Sequence, residues 1–184
     1  MRLQSIIGIL GAIIAYPFMA ASVILSPWFD LSNNALSDLG NVALHSSTAW
    51  VFNYGLVLAG GLTACFAILV SVRHHSLDHL SWSVPGAAAG IDLALVGLFS
   101  EDTGSIHFVA SVILFSLMAV TMLIYSYWSW PLGTPKIGAI SLAFGIAIPV
   151  IWFVGWPWHG VAIQELLSSF MTSAWLLMVS RSDV

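Results

Sequence analysis

Long apolar runs separated by short polar segments dominate the chain. A helix needs about 20 apolar residues to cross a hydrocarbon core roughly 30 Å thick. Six runs have about that length, at residues 5–27, 50–72, 82–100, 108–128, 137–155 and 161–179. The pattern predicts an all-α fold, a bundle of six transmembrane helices. No polar stretch is long enough to fold separately, so we expect residues 1–184 to form a single domain.

The basic residues alternate with these runs in a regular way. Arg2 precedes the first run, Arg73 follows the second, Lys136 follows the fourth and Arg181 follows the sixth. If each run crosses the membrane once, all four bases lie on the same side. Cytoplasmic segments carry an excess of Lys and Arg, so we expect both termini in the cytoplasm. The sequence therefore predicts a multi-pass protein of the cell membrane.

Glycine spacing identifies helices that are expected to pack closely. Gly86 and Gly90 lie one helical turn apart in the third run, and Gly60 with Gly61 offers another narrow surface in the second. Small residues let the backbones of transmembrane helices approach each other. We therefore predict a central position in the bundle for the third helix.

Composition and charge narrow the possible functions. Of the residues, 59% are hydrophobic and 7% are charged, whereas soluble domains carry about 25% charged residues. The net charge of −4 leaves no basic patch for nucleic acid. Membrane lipids are the expected partners and nucleic acid is not. Cys65, the single cysteine, can form no disulfide within the chain.

Acidic and imidazole side chains concentrate in the segments that are expected at the extracytoplasmic face, with no Lys or Arg among them. The set consists of Asp30, Asp38, His45, Glu101, Asp102, His107, His159 and Glu165. Such a cluster needs protons, a metal ion or a cationic ligand to offset its repulsion. Asn53, Asp92 and Ser111 extend the polar character into the membrane and are candidate ligand-binding residues.

These residue types are suited to metal-dependent hydrolysis. Three imidazoles with an open position for water are a common catalytic zinc site, and the metal acidifies the bound water. The candidate metal ligands are His45, His107 and His159, with Asp38 or Glu101 as an alternative. Carboxylate ligands would instead favour calcium or magnesium. Asp102 or Glu165 is then the expected catalytic base.

Three ordered motifs accompany this cluster. They are ALSDLG at residues 35–40, FNYGL at residues 52–56 followed by Gly60, and GLFSED at residues 97–102 followed by His107. Together they resemble the signatures of the DUF998 family of bacterial and archaeal membrane proteins. That family is named for having no assigned function, so the resemblance implies a six-helix architecture and no reaction. It points to Ser37, Asp38, Asn53, Glu101, Asp102 and His107, and we take Ser37 as a further catalytic candidate.

Two functions stay open at this point. The first is a metal-dependent hydrolase or transferase that acts on a lipid or other amphipathic substrate at the outer membrane face. Its residue inventory resembles that of intramembrane zinc amidohydrolases such as alkaline ceramidases, which have seven spans and a paired histidine motif that this chain lacks. The second is a binding protein or small transporter for a proton, a cation or a cationic ligand.

A structural role for the polar cluster is a further alternative. Carboxylates commonly cap helix starts and accept hydrogen bonds from loop amides. Asp30 and Asp38 fit this role, whereas Glu165, inside the sixth run, does not readily fit it. The enzyme hypothesis predicts that Asp38 and His107 lie close to Glu101 or Asp102.

Overall fold

A computed structural model describes residues 2–182, and long helices make up most of this part of the chain. Six helical segments are long and apolar enough to cross a membrane: Leu3–Ile24, Ala49–Arg73, Leu77–Leu98, Ser105–Trp128, Pro135–Phe153 and Ala162–Arg181. The described residues contain no β-strand. The predicted all-α bundle of six membrane-spanning helices is confirmed, and the orientation with both termini in the cytoplasm stays a prediction.

The first span is interrupted at Ile14, and the other five are continuous helices. In chain order the helices are α1 (Leu3–Ile13), α2 (Ala15–Ile24), the short α3 (Val42–His45), α4 (Ala49–Arg73), α5 (Leu77–Leu98), α6 (Ser105–Trp128), α7 (Pro135–Phe153) and α8 (Ala162–Arg181). Two 3-10 helices, Leu36–Gly40 and Glu101–Thr103, lie in the loops at one end of the bundle. We call that end, formed by residues 25–48, 99–104 and 154–161, the carboxylate end.

The spans form a ring in which α1 packs on α4, and α5, α6, α7 and α8 follow in turn until α8 meets α1. α5 and α4 approach closely at two glycines. A Cβ atom on Gly60 would lie 2.5 Å from the carbonyl oxygen of Gly90, and one on Gly90 would clash with the backbone of Ala64. The predicted close packing is confirmed at these glycines. Gly61 faces open space, and α5 occupies a place in the ring rather than its centre.

Three aromatic side chains fill the ring near the opposite end, where Arg73, Lys136 and Arg181 also lie. The rings of Trp82, Tyr125 and Trp175 meet nearly at right angles, with centroids 5.2 to 6.1 Å apart. Edge-to-face contacts of this kind add to the energy of burial. We call this group the aromatic cluster and its end of the bundle the basic end.

At the carboxylate end, a loop segment covers the start of α8. The carbonyl oxygen of Ser32 accepts from the amides of His159 and Gly160 at 3.1 and 2.8 Å. The carbonyl oxygen of Asn34 accepts from Val161 and Ala162 at 3.1 and 2.9 Å. The first amides of a helix have no partner within the helix, so this segment supplies partners to that end of α8.

Candidate functional site

The 3-10 helix Leu36–Gly40 is the foundation of the site. Leu36 and Leu39 pack with Phe52 of α4 in a small apolar cluster. The Asn53 side chain donates to the carbonyl oxygen of Gly40 at 2.9 Å. A Cβ atom on Gly40 would clash with that amide, so the close approach requires glycine. Asn53, a predicted ligand-binding residue, thus serves here to hold the end of the 3-10 helix.

Asp38 folds back onto the loop that precedes it. One of its carboxylate oxygens, Oδ2, accepts from the backbone amide of Ala35 and from the side chain of Asn34, both at 2.9 Å. Its carboxyl group also contacts that of Glu101. Asp38 therefore both stabilises its own turn and approaches the acidic residue that follows α5.

Glu165 connects α8 to the same 3-10 helix. Its Oε2 atom accepts from the backbone amide of Leu36 at 2.5 Å, and the amide of Ser37 also donates to this carboxyl group. These are the first amides of a helix, which lack partners within it. The expectation that a structural role does not account for Glu165 is wrong, because Glu165 caps a helix that lies far away in sequence.

Asp102 connects the α5–α6 turn to α3. It accepts from the Ser100 hydroxyl at 2.5 Å and from the backbone amide of Val42 at 3.2 Å. The hydrogen bond from Ser100 is the main reason that the pKa of Asp102 lies below its usual value. Asp102 is exposed and ionised, and its main contacts hold the loops together.

Glu101 differs from the other carboxyl groups because it has few donors. Among residues 2–182, the side chain of Asn41 donates to it at 3.5 Å, and its other polar contact is the carboxyl group of Asp38. Partial burial, followed by the contact with Asp38, raises the pKa of Glu101 from 4.5 to about 7. Two carboxyl groups in contact repel each other unless a proton or another cation lies between them.

His107 is held in a defined orientation at the start of α6. Its Nδ1 atom lies 2.7 Å from the carbonyl oxygen of Phe99. A carbonyl oxygen only accepts hydrogen bonds, so Nδ1 carries the hydrogen, and Nε2 of the neutral ring is an acceptor. Nε2 has no hydrogen-bond partner among residues 2–182. His107 is 7% exposed, yet it borders a cavity.

That cavity has a volume of about 550 Å³ and is lined mainly by α6 and α7, with Glu165 of α8 and residues of the carboxylate-end loops at one end. Its polar lining comes from Ser37, Glu101, His107, Ser111 and Glu165 at the carboxylate end, with Ser116 further along α6. Its apolar lining includes Phe108, Phe115, Ala119, Ile148 and Trp152. From His107 to Ala119 the wall follows α6 for roughly 18 Å at 1.5 Å per residue. The cavity is therefore amphipathic, with a polar head end and an apolar stem.

The structure brings together only part of the predicted metal site. His45 stacks on Trp28 with ring centroids 4.0 Å apart, whereas His159 is exposed on the loop before α8. Among residues 2–182, no group of three or more His, Cys, Asp or Glu side chains is arranged to hold a metal ion. In this part of the chain no metal-ligand set is therefore formed by the predicted ligands His45, His107, His159, Asp38 and Glu101. Binding of zinc or another divalent cation stays a prediction.

The predicted approach of Asp38 to Glu101 is present, and Asp102 lies near His107. Ser111 lines the cavity, and its role in ligand binding stays a prediction. Asp92 is 8% exposed, and its Oδ2 atom has no hydrogen-bond partner among the described residues. It is outside the lining of the amphipathic cavity. The apolar stem was missed, because its residues look like any lipid-facing position in the sequence.

The six long apolar helices define a multi-pass membrane protein that contacts membrane lipids through these spans. A family model described as "Protein of unknown function (DUF998)" matches residues 9–182, and the chain belongs to this family. The resemblance of the three motifs is thereby confirmed. No curated protein matches the chain, and no solved structure matches it.

Proposed function

We propose that this protein binds an amphipathic, lipid-like molecule in the cavity that α6 and α7 form with the carboxylate end of the bundle. The observation that carries the proposal is the polarity of the lining, which changes from Glu101, Ser37 and His107 at one end to Phe115 and Ala119 at the other. Ligand pockets commonly have volumes of 300–1,000 Å³ and are mostly apolar with a few polar groups. The cavity fits that description.

The position of the cavity favours a ligand that comes from the membrane. Phe108, Val112 and Phe153 contribute to its lining and are among the most exposed apolar side chains of α6 and α7. In a membrane such side chains meet lipid, so the apolar part of a ligand has a continuous apolar route to the stem. Under the orientation inferred from the bases, the head end lies at the extracytoplasmic face of the cell membrane.

Turnover of the bound molecule, as a hydrolase or transferase, is a second candidate function. His107 supports it because the free Nε2 atom of a neutral imidazole is a general base. Ser37 borders the same cavity and has a hydroxyl group. A metal-activated water is the alternative nucleophile, and a metal analysis of the purified protein, compared with His107→Ala, tests it. Stoichiometric zinc that is lost in the variant would favour the metal-dependent reaction.

A pair of tryptophan substitutions on α6 tests the binding proposal. Ser116 and Val120 are both exposed and lie one helical turn apart, and of the two only Ser116 lines the cavity. We expect Ser116→Trp to weaken binding of a fluorescent single-chain amphiphile at least tenfold, because the indole fills the stem. Val120→Trp should bind as the wild type does. The readout is fluorescence anisotropy of detergent-purified protein, with size-exclusion profiles to show that both variants fold.

Equal affinity in the wild type and both variants would overturn the proposal. So would loss of binding in both variants, because the effect would then not depend on the cavity. The comparison removes nonspecific partition of the amphiphile into the micelle, which is the same for all three proteins.

A further inference from the structure

We propose that the head group bound in this cavity is a primary ammonium, so that the ligand is a single-chain amine or an amino lipid. The inference rests on the proposed function and adds the chemistry of the head group. It depends on the balance of hydrogen-bond donors and acceptors at the head end of the cavity.

Acceptors dominate the head end. Glu101 and Glu165 line it with carboxyl groups, and His107 contributes an imidazole whose Nδ1 hydrogen is already donated to Phe99. The side-chain donors that line this end are the hydroxyls of Ser37 and Ser111, and each hydroxyl is also an acceptor. A ligand that supplies donors therefore fits this end, whereas a phosphate or sulfate head, which mainly accepts, does not.

Two polar groups of mostly buried side chains at this end, the hydroxyl of Ser37 and Nε2 of His107, are open to the cavity and lack partners within the described chain. Ser37 is 8% exposed and His107 is 7% exposed, and both border the cavity. Among residues 2–182, neither the Ser37 hydroxyl nor Nε2 of His107 has a hydrogen-bond partner. Buried polar groups are normally satisfied by protein, water or ligand. These two are therefore positioned to bind a donor that enters the cavity.

Charge favours a cation in the same place. Glu101 contacts the carboxyl group of Asp38 and interacts electrostatically with Asp102, and both Asp38 and Glu101 interact with Glu165. Arg73, Lys136 and Arg181 are all at the basic end of the bundle. Arg2, which precedes α1, is at that end as well, so no Lys or Arg side chain among residues 2–182 neutralises the carboxyl groups at the head end. An ammonium carries both a positive charge and three N–H donors, whereas a quaternary ammonium carries the charge alone.

Four amphiphiles with the same dodecyl chain distinguish these possibilities. Dodecylamine, dodecyltrimethylammonium, dodecanol and dodecyl sulfate are titrated calorimetrically into purified protein in neutral detergent at one pH. Binding is taken as the difference between the wild type and Ser116→Trp. We expect dodecylamine to bind at least tenfold more tightly than each of the other three.

A matched pair of charge-neutralising variants tests where the ammonium binds. Glu101→Gln should weaken dodecylamine binding at least tenfold and leave dodecanol binding nearly unchanged. Asp30→Asn removes the same charge from an exposed turn outside this cavity and should have little effect. Size-exclusion profiles and unfolding temperatures establish that both variants fold. If Glu101→Gln does not fold, the preference among the four amphiphiles still decides the proposal.

Each outcome separates the two proposals. Equal binding of dodecylamine and dodecanol, or tighter binding of the trimethylammonium or the sulfate, overturns the ammonium head group and leaves the cavity as a binding site. Equal losses in Glu101→Gln and Asp30→Asn overturn the placement at Glu101. Absence of any binding beyond that of Ser116→Trp overturns both proposals.

Discussion

The two ends of the bundle use polar and aromatic side chains in different ways. At the basic end, the aromatic cluster joins helices to one another. The indole of Trp175 also donates to the Ser141 hydroxyl at 2.9 Å, and the hydroxyls of Tyr125 and Thr134 form a hydrogen bond of the same length. At the carboxylate end, Asp38, Asp102 and Glu165 join loops to helices through backbone amides. One end is built on side-chain packing, the other on the capping of irregular backbone.

The comparison separates residues that stabilise the fold from residues that are available for a ligand. Asp38, Asp102 and Glu165 each accept from at least one backbone amide. Glu101 accepts no such bond that the structure records, and His107 has one ring nitrogen free. At functional sites, some polar groups commonly lack a hydrogen-bond partner within the protein. The departures here are concentrated at the head end of the amphipathic cavity.

The largest expected effect is the loss of an aromatic side chain at the basic end. Trp175→Ala should reduce the free energy of unfolding by about 3–5 kcal/mol, because it leaves a cavity among buried rings. Trp130→Ala, at an exposed position, is the control and should change it little. Thermal unfolding followed by circular dichroism in detergent measures both. Similar losses in the two variants would contradict the assignment of the aromatic cluster to the core.

A smaller effect is expected from Glu165→Ala at the carboxylate end. The variant leaves the amides of Leu36 and Ser37 without their carboxyl partner, which should cost about 1–3 kcal/mol. Glu165→Gln keeps an acceptor oxygen and should recover much of the loss. Hydrogen exchange of residues 36–40 should increase in the alanine variant and less in the glutamine variant. Unchanged exchange in both would show that Glu165 does not hold the 3-10 helix.

The smallest effect concerns the pH dependence of stability at Glu101. Its pKa is about 7 in the folded protein and ordinarily 4.5, so the folded state binds more protons between these values. Stability from this group is therefore present below about pH 4.5 and is lost as the pH rises to about 7. Glu101→Gln should reduce the decline in unfolding temperature between pH 5 and 8, whereas Asp30→Asn should keep it. An equal decline in all three proteins would contradict the raised pKa.

The sequence was sufficient for the spans and insufficient for the contacts between them. Apolar length alone predicted all six helices, because a helix in a hydrocarbon core satisfies its own backbone. The glycine pattern correctly predicted close packing at Gly60 and at Gly90, since a missing side chain has a direct steric meaning, but it did not pair the two. It could not predict which helices close the ring.

The sequence predicted which types of residue lie at the carboxylate end, but it predicted only part of how they contact one another. The partner of Glu165 is the amide of Leu36, 129 positions away, and a backbone amide has no signature in a sequence. His45 was grouped with the other histidines, yet its ring stacks on Trp28. Phe115 and Trp152 line the cavity although apolar residues of this kind occur along every span. The distribution of acidic residues along the sequence predicted the polar head end of the cavity. The apolar stem depends on how the helices pack, which the sequence pattern does not show.

The loop that covers α8 has a consequence for how this sequence can vary among relatives. Ser32 supplies a carbonyl oxygen to His159 and Gly160, and every amino acid has such an oxygen. Substitution at Ser32 should therefore be tolerated. Deletion of one neighbouring residue would move the backbone by about 3.3–3.6 Å, which is enough to separate donor from acceptor. Related sequences should accordingly keep the length of this loop more strictly than the residue at position 32.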